Sequence, residues 1–197
     1  MFSLVQTMLA NQFPEIQKFR NVHQLDYATS GIYVLALNKK AAGAASKLFR
    51  ERNVHKTYLA IVQGHFAQDS CTVDQPIGDD PNHDFRMSIL PDGKPAKTHV
   101  RVLERGYYRY KEEKTGEDKC LKVSKVELSP ITGRRHQLRV HLQSLGHPII
   151  GDYNYETQYT DTFRMMLHAY KIILPLKQGE LAVDTNDPFI NLVEISK

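Results

Sequence analysis

Between Gly133 and His141 the chain reads Gly-Arg-Arg-His-Gln-Leu-Arg-Val-His, three arginines and two histidines with no acid among them. Crowded guanidinium groups repel one another, so this density implies an anionic ligand. Phosphate fits best, because the planar fork of arginine matches its oxygens in pairs. Upstream, His23-Gln24-Leu25-Asp26-Tyr27-Ala28-Thr29-Ser30-Gly31 offers Asp26, a carboxylate in need of a cation. Together the two segments describe one carboxylate working inside a basic, phosphate-binding groove.

Each residue also has a plainer reading. Asp26 precedes a Thr-Ser-Gly turn, where an aspartate often bonds only its own backbone. The catalytic alternative needs a cation beside it, and Arg139 is the natural candidate. If His136 opens a helix, Arg135 and Arg139 lie one turn apart on one face and Leu138 and Leu142 turn the other way. The helix start then adds free N–H groups for phosphate. The plainer account is a solvated arginine face. Tyr58 sits in a strand, where core packing is the default. Yet it shares a face with the small Ala60, which leaves room for a base to stack on the ring.

The elements that must position these residues follow from periodicity. Leu4, Met8 and Leu9 predict a short helix over Phe2 to Asn11, and Pro14 and Glu15 suit the first turn of a second. Ile32 to Leu37 is apolar throughout, as a strand buried on both faces would be. Asn38 caps a helix running to about Glu51 or Arg52, with Ala41, Ala45, Leu48 and Phe49 on its inner face. Lys56 to Val62 is a strand ended by Gln63-Gly64. Residues 69–99, broken by Pro76, Gly78, Pro81, Pro91, Gly93 and Pro95, read as short strands and turns. Lys97 to Leu103 and Leu121 to Leu128 alternate as strands on either side of the charged run Lys111 to Lys119, a solvated hairpin tip. A helix over His136 to Leu145 places Leu138, Leu142 and Leu145 on one side, with Gly146 at its C-terminal cap and Pro148 beyond. Leu167 to Leu174 is a further central strand. Strands outnumber helices, which predicts an α+β domain with a mixed, mainly antiparallel sheet flanked by helices.

The 197 residues fit one domain, and 41% hydrophobic with 24% charged residues is ordinary for a globular protein. A net charge of +4 permits nucleic-acid binding without requiring it. Cys71 and Cys120 fit neither a zinc ribbon nor a redox pair and point to a reducing compartment. No apolar run reaches membrane-span length, and no secretory leader is evident. His136 and His141 do not share a helical face, and HExxH, paired-Cys, Walker and GxGxxG patterns are all missing. No metal and no nucleotide cofactor is expected.

Read together, the ordered segments HQLDYATSG, KTYLAIVQG, GKPAKTHVRVLE, PITGRRHQLRVHLQSLGHPIIGD and RMMLHAYKI resemble the RluA-type RNA pseudouridine synthases. The likeness runs from about Val22 to Phe189 and is nearest the eukaryotic branch without a separate S4 domain. It implies isomerisation of uridine in RNA to pseudouridine, without cofactor, by breaking the N-glycosidic bond and rejoining the base through carbon. It implies that Asp26 is the essential carboxylate, either as nucleophile or as base for the 2′ proton. Tyr58 would stack on the target base and help a later proton transfer. Arg139 would keep Asp26 charged and oriented, and Arg134, Arg135 and His136 would contact the RNA with Gln24. The resemblance divides the chain into a helical lead-in, residues 1–21, and a pseudouridine synthase catalytic domain, residues 22–197. RNA is the expected partner, with no membrane association, and the chain is expected to be monomeric. An intracellular, cytoplasmic location is expected, with nucleus and mitochondrion left open.

Two departures from the pattern stand out. Gln24 occupies a position where the family usually has an arginine that fills the space of the flipped base, so flipping or substrate choice is expected to differ. Only 25 residues precede Asp26, and they read as helical where the family has apolar strands and an Asn-Lys-Pro turn. The fold is therefore expected to lack those N-terminal strands and to expose a sheet edge. A truncated, non-catalytic RNA-binding protein of the same fold is the alternative, and a protein-interaction role without RNA is disfavoured by the basic groove.

Overall fold

The computed structural model describes residues 2–112, 115–156 and 162–195. In chain order its elements are α1 (Phe2–Gln12), β1 (Arg20–Asn21), β2 (Ser30–Gly31), β3 (Leu35–Ala36), α2 (Lys39–Arg50), β4 (His55–Gln63), β5 (Ser70–Asp74), β6 (Ile77–Asp79), β7 (Met87–Ile89), β8 (Lys97–Lys111), β9 (Asp118–Pro130), α3 (Gln137–Ser144), β10 (Leu167–Leu176) and β11 (Gly179–Asp184). The main sheet runs β11-β10-β4-β9-β8-β5, and β2 lies beside β10. The β2–β10 pair is parallel and the other ladders are antiparallel. This is the mixed, mainly antiparallel α+β arrangement that the alternation predicts.

Burial explains the order. Leu59, Ala60, Ile61 and Val62 of β4 are all buried, as an unbroken apolar run in a central strand should be. The alternating β8 and β9 form a long hairpin, from Thr98 opposite Pro130 to Lys111 opposite Asp118, and Thr115, Gly116 and Glu117 near its tip are exposed. Leu138 and Leu142 of α3 join the main core, each contributing roughly 1.5–3 kcal/mol by burial. Val140, on another side of α3, packs with Ile77, Met87, Ala96 and Tyr155 under the β6–β7 ribbon. The helix is thus covered around its circumference. Asn38 caps α2 by accepting the Ala41 N–H at 2.9 Å. The end of α3 is closed by N–H bonds from Gly146 to the Gln143 carbonyl and from His147 to the Leu142 carbonyl.

Several expectations need correction. Pro14 and Glu15 form a turn rather than a second helix. Ile32 to Leu37 is not a strand buried on both faces. Leu35 and Ala36 alone pair, with Arg20 and Asn21, and most of the segment is half-buried as it passes over α2. Its apolar run serves the small cluster with Val22, Ala45, Val54, Ile172 and Leu174. The inner face of α2 carries Ala42, and Ala41 is exposed. Met8 and Leu145 are exposed, and the Leu4 side chain lies outside the described residues. Arg135 precedes α3, so it shares no helical face with Arg139, and the buried Arg139 is no solvated arginine.

Candidate active site

Asp26 stands at the head of a turn closed by the Thr29 N–H on the Asp26 carbonyl, 3.0 Å. The turn leads directly into β2, which ties it to β10 through Ser30 opposite His168 and Gly31 opposite Ala169. Gly31 has φ +102°, and a Cβ there would stand 2.2 Å from the Ala169 carbonyl oxygen. Only glycine permits that approach. Ser30 adds a side-chain tether. Its Oγ accepts from the Arg164 guanidinium and meets His168 Nδ1 at 2.7 Å.

The cation facing Asp26 is Arg139, and it has two acidic partners. Its Nε and Nη2 donate to the two oxygens of Asp152, both at 2.7 Å, while Nη1 reaches Asp26 Oδ2 at 3.3 Å. The Asp152 side chain is 0% exposed, that of Arg139 7% and that of Asp26 25%. The tight, bidentate bond is therefore the inner one, and the outer one presents the carboxylate to the cleft. Burial works against the Arg139 charge, but the bonds and charges of Asp152, and then of Asp26, outweigh it and raise the guanidinium above its ordinary pKa. The Tyr155 ring lies 4.9 Å below the guanidinium carbon, a stacked cation–π contact. Asp152 is held in turn by a segment laced to β4 and to the start of β10. The Ile150 N–H bonds the Ile61 carbonyl at 3.0 Å and the Met166 N–H bonds the Ile150 carbonyl at 2.9 Å.

The arginine loop ahead of α3 is braced by Gln137. Its Oε1 accepts from Thr132 Oγ1 at 2.6 Å and from the Arg134 N–H at 3.0 Å, and its Nε2 donates to the Lys97 carbonyl and Thr98 Oγ1, both at 3.0 Å. All four hydrogen-bonding sites of the amide are used. His136 caps α3 in the left-handed region, φ 55°, ψ 17°, a conformation that costs about 1–3 kcal/mol in a non-glycine residue. The strain aims its ring at Tyr155, whose hydroxyl is 2.8 Å from Nδ1 and accepts the Met87 N–H at 2.7 Å. With the hydroxyl accepting from Met87, its O–H is free to donate a hydrogen bond to Nδ1, which makes Nε2 the protonated nitrogen of a neutral ring, an assignment drawn from the bonding pattern. Burial, and then the charge of Arg139, lowers the His136 pKa, consistent with a neutral ring. Arg134 bonds the Pro95 carbonyl at 3.1 Å, and Arg135 turns outward to Asp79 at 3.2 Å.

These parts meet at a cleft of about 600 Å³ lined by Gln24, Asp26, Lys56, Tyr58, Arg134 and His136, among others. Arg139 lies behind Asp26 rather than in the lining. Tyr58 is pushed up to about 12, first by burial and second by the negative charge of Asp26. His23 is pushed down to about 4 by burial and then by the charge of Lys56. Its ring stacks on Phe49 with centroids 5.0 Å apart, and Nε2 accepts the Val34 N–H at 2.8 Å.

Gln24, Asp26, Tyr58, Arg134, Arg135 and His136 all line this cleft, and Arg139 reaches Asp26 from below. Three further residues escaped the sequence reading: Asp152, Gln137 and Lys56. Asp152 ends the quoted arginine segment, where an acid following a Gly is easily read as turn chemistry. An acid near a run of arginines is the signal that could have found it. Among the described residues, no group of three or more His, Cys, Asp or Glu is placed to hold a metal ion, and no helix is long and apolar enough to cross a membrane. Cys71 and Cys120 are free thiols.

A mixed sheet whose cleft holds a carboxylate locked to a buried arginine, beside a strand tyrosine, defines a pseudouridine-synthase-like protein. The solved structure titled human RNA pseudouridylate synthase domain containing 1 superposes with a TM-score of 0.81 at 41% identity, over 94% of this chain and 74% of that one. The family model described as RNA pseudouridylate synthase matches residues 5–144, and the chain belongs to that family. The mouse RNA pseudouridylate synthase domain-containing protein 1 is 42% identical over 94% of this chain, and the RluA dual-specificity RNA pseudouridine synthase of Yersinia pestis is 40% identical over 86%. This chain spans 63% of the mouse relative and 76% of the Yersinia one.

Proposed function

We propose that this protein isomerises uridine to pseudouridine in structured RNA, be it tRNA, rRNA or mRNA, with residues 22–197 as the catalytic unit and Asp26 as its essential carboxylate. The observation that carries the proposal is the double clamp. Arg139, fixed by Asp152, presents one of its three remaining N–H groups to an Asp26 carboxylate that opens on the cleft. A uridine stacked in a helix cannot bring its glycosidic bond to a carboxylate, so it must be extruded, which costs a few kcal/mol. Stacking on Tyr58, worth about 1–3 kcal/mol, offsets much of that cost. Arg134, Arg135 and His136 on the rim meet the RNA backbone, and Gln24 enters beside the displaced base with a hydrogen bond in place of a charge.

Asp26 then attacks the sugar carbon or removes the 2′ proton. Tyr58, with its pKa near 12, is phenolate in only about one molecule in 10⁵ at neutral pH. It therefore works as a neutral platform, and it can accept a proton only while passing on its own. The decisive experiment compares wild type with Asp26→Asn, measuring pseudouridine in digested RNA by chromatography and affinity by filter binding. Isomerisation is expected to vanish in the variant while RNA affinity largely persists. Equal product from both proteins refutes the role of Asp26, and binding without product from the wild type identifies a non-catalytic RNA-binding protein.

A further inference from the structure

A second charged group lies in the cleft and takes no part in the clamp. Lys56 stands two residues before Tyr58 on β4, so the two side chains leave the strand on one face, and both line the cleft with Asp26. Among the described residues no carboxylate lies within ion-pair distance of its ammonium. The hydrogen bond it makes is to the Thr132 carbonyl at 3.5 Å, a marginal contact for a group with three N–H donors. Burial lowers its pKa, and its charge in turn depresses that of His23. A desolvated cation with one weak acceptor is costly, and such groups persist where a ligand completes them.

Position narrows the ligand. Tyr58 feels the charge of Asp26 as well as burial, whereas the Lys56 ammonium is depressed by burial alone. The carboxylate therefore acts on the ring, and its ion pair is with Arg139 rather than with the ammonium. A base lying on Tyr58 with its sugar at Asp26 shares the cleft with Lys56, whose side chain leaves the same face of β4 as the ring. Arg135, by contrast, is exposed in the lining, open to a phosphate from solvent.

Building on the isomerisation proposed above, we infer that Lys56 donates a hydrogen bond to a carbonyl oxygen of the target uracil and holds the base while it is detached. When the C1′–N1 bond breaks, its electron pair leaves with the ring. The sugar carbon bonds to Asp26, or the sugar gives its 2′ proton to Asp26. Either way the freed uracil carries one negative charge, shared between N1 and its carbonyl oxygens. An ammonium in a water-poor cleft favours that anion over the neutral bound nucleotide, so the contact tightens as the bond breaks. It also keeps the loose base from leaving before it turns.

The test compares wild type, Lys56→Met and Lys56→Gln on a pool of unmodified tRNA and rRNA transcripts, with Asp26→Asn as blank. Single-turnover pseudouridine formation at saturating enzyme is read beside the dissociation constant over a series of salt concentrations. The expected result is a loss of about 100-fold in rate, the usual cost of removing one donor to a developing anion. Affinity should stay within about threefold and its salt slope should not change. A folding defect alone moves neither quantity in that pattern, and circular dichroism melts identify a variant that is unfolded, leaving the other to decide. A wild-type rate in a folded variant overturns the inference. So does an unchanged saturated rate with weaker binding and a salt slope smaller by about one, which marks a phosphate ligand. If the wild type makes no pseudouridine above the blank, the isomerisation reading fails and this inference falls with it.

Discussion

Asp152→Ala removes the inner half of the clamp and leaves Arg139, a side chain 7% exposed, with a single 3.3 Å bond to Asp26. Removing one partner of a buried pair costs about 3–5 kcal/mol, because the other charge stays desolvated. A chain of this size loses about 2–4 °C of Tm per kcal/mol, so the expected fall is about 6–20 °C. Asp152→Asn keeps the shape but turns an amide donor toward guanidinium donors, and should fall nearly as far. The molecule supplies its own control. Arg101 and Glu127 make the same two-pronged bond at 3.1 and 3.0 Å, but with side chains 62% and 26% exposed. Glu127→Ala should therefore cost about 1 kcal/mol or less. Thermal unfolding by circular dichroism reads all three variants. The Asp152 variants should also lose single-turnover pseudouridine formation while binding RNA nearly normally, since no cleft-lining group is removed. Equal Tm shifts for the Asp152 and Glu127 variants, or a fully active Asp152→Asn protein, would refute the reasoning.

Three more outcomes are expected. His23 is held near 4 against an unfolded value of 6.5, so the native state favours the neutral ring. That contribution, about 3 kcal/mol, is complete above pH 6.5 and lost as pH falls through 4. Urea titrations at pH 7 and pH 4 should show His23→Gln losing about that much less than wild type on acidification, and an unchanged difference would contradict it. His136, His141 and His168 are depressed in the same direction, so the variant should keep some slope. Tyr58→Phe should bind RNA within about threefold of wild type, and Tyr58→Ala should lose about 1–3 kcal/mol of affinity; equal binding by both in filter assays would remove the stacking role. Gly31→Ala forces a Cβ to 2.2 Å from the Ala169 oxygen at a left-handed φ, and should cost at least about 1–3 kcal/mol in denaturant unfolding; an unchanged midpoint would mean the β2–β10 tie is not needed.

Local rules located most of the sheet and most of the residues that line the candidate cleft. β8 and β9 follow from alternation, because strand period and burial agree there, and the segments of β4 and β10 read as strands as well. Asp26, Tyr58 and the arginine loop came from residue chemistry and from likeness to a family. The failures share one cause. Helical period puts Arg135 and Arg139 on one face, but Arg135 lies ahead of α3 and every residue from Gln137 to Leu142 is buried. An isolated helix wheel cannot reveal that Val140 packs under one ribbon while Leu138 and Leu142 enter the main core. Ile32 to Leu37 misled in the opposite way, since an apolar run can line a small cluster without joining a ladder. Asp152, Gln137 and Lys56 lay open in the sequence, but their meaning depends on partners that only the tertiary structure supplies.

The two-acid grip on Arg139 has a consequence for how this protein can be tuned or disabled. On the proposed function, Asp26 takes its aim through Arg139 from Asp152, a residue outside the cleft lining. Drift in the loop that carries Asp152 would thus detune the chemistry while leaving the docking surface intact. A variant of that kind would still occupy its sites on RNA and shield them from any other enzyme, becoming a competitor of its own active form.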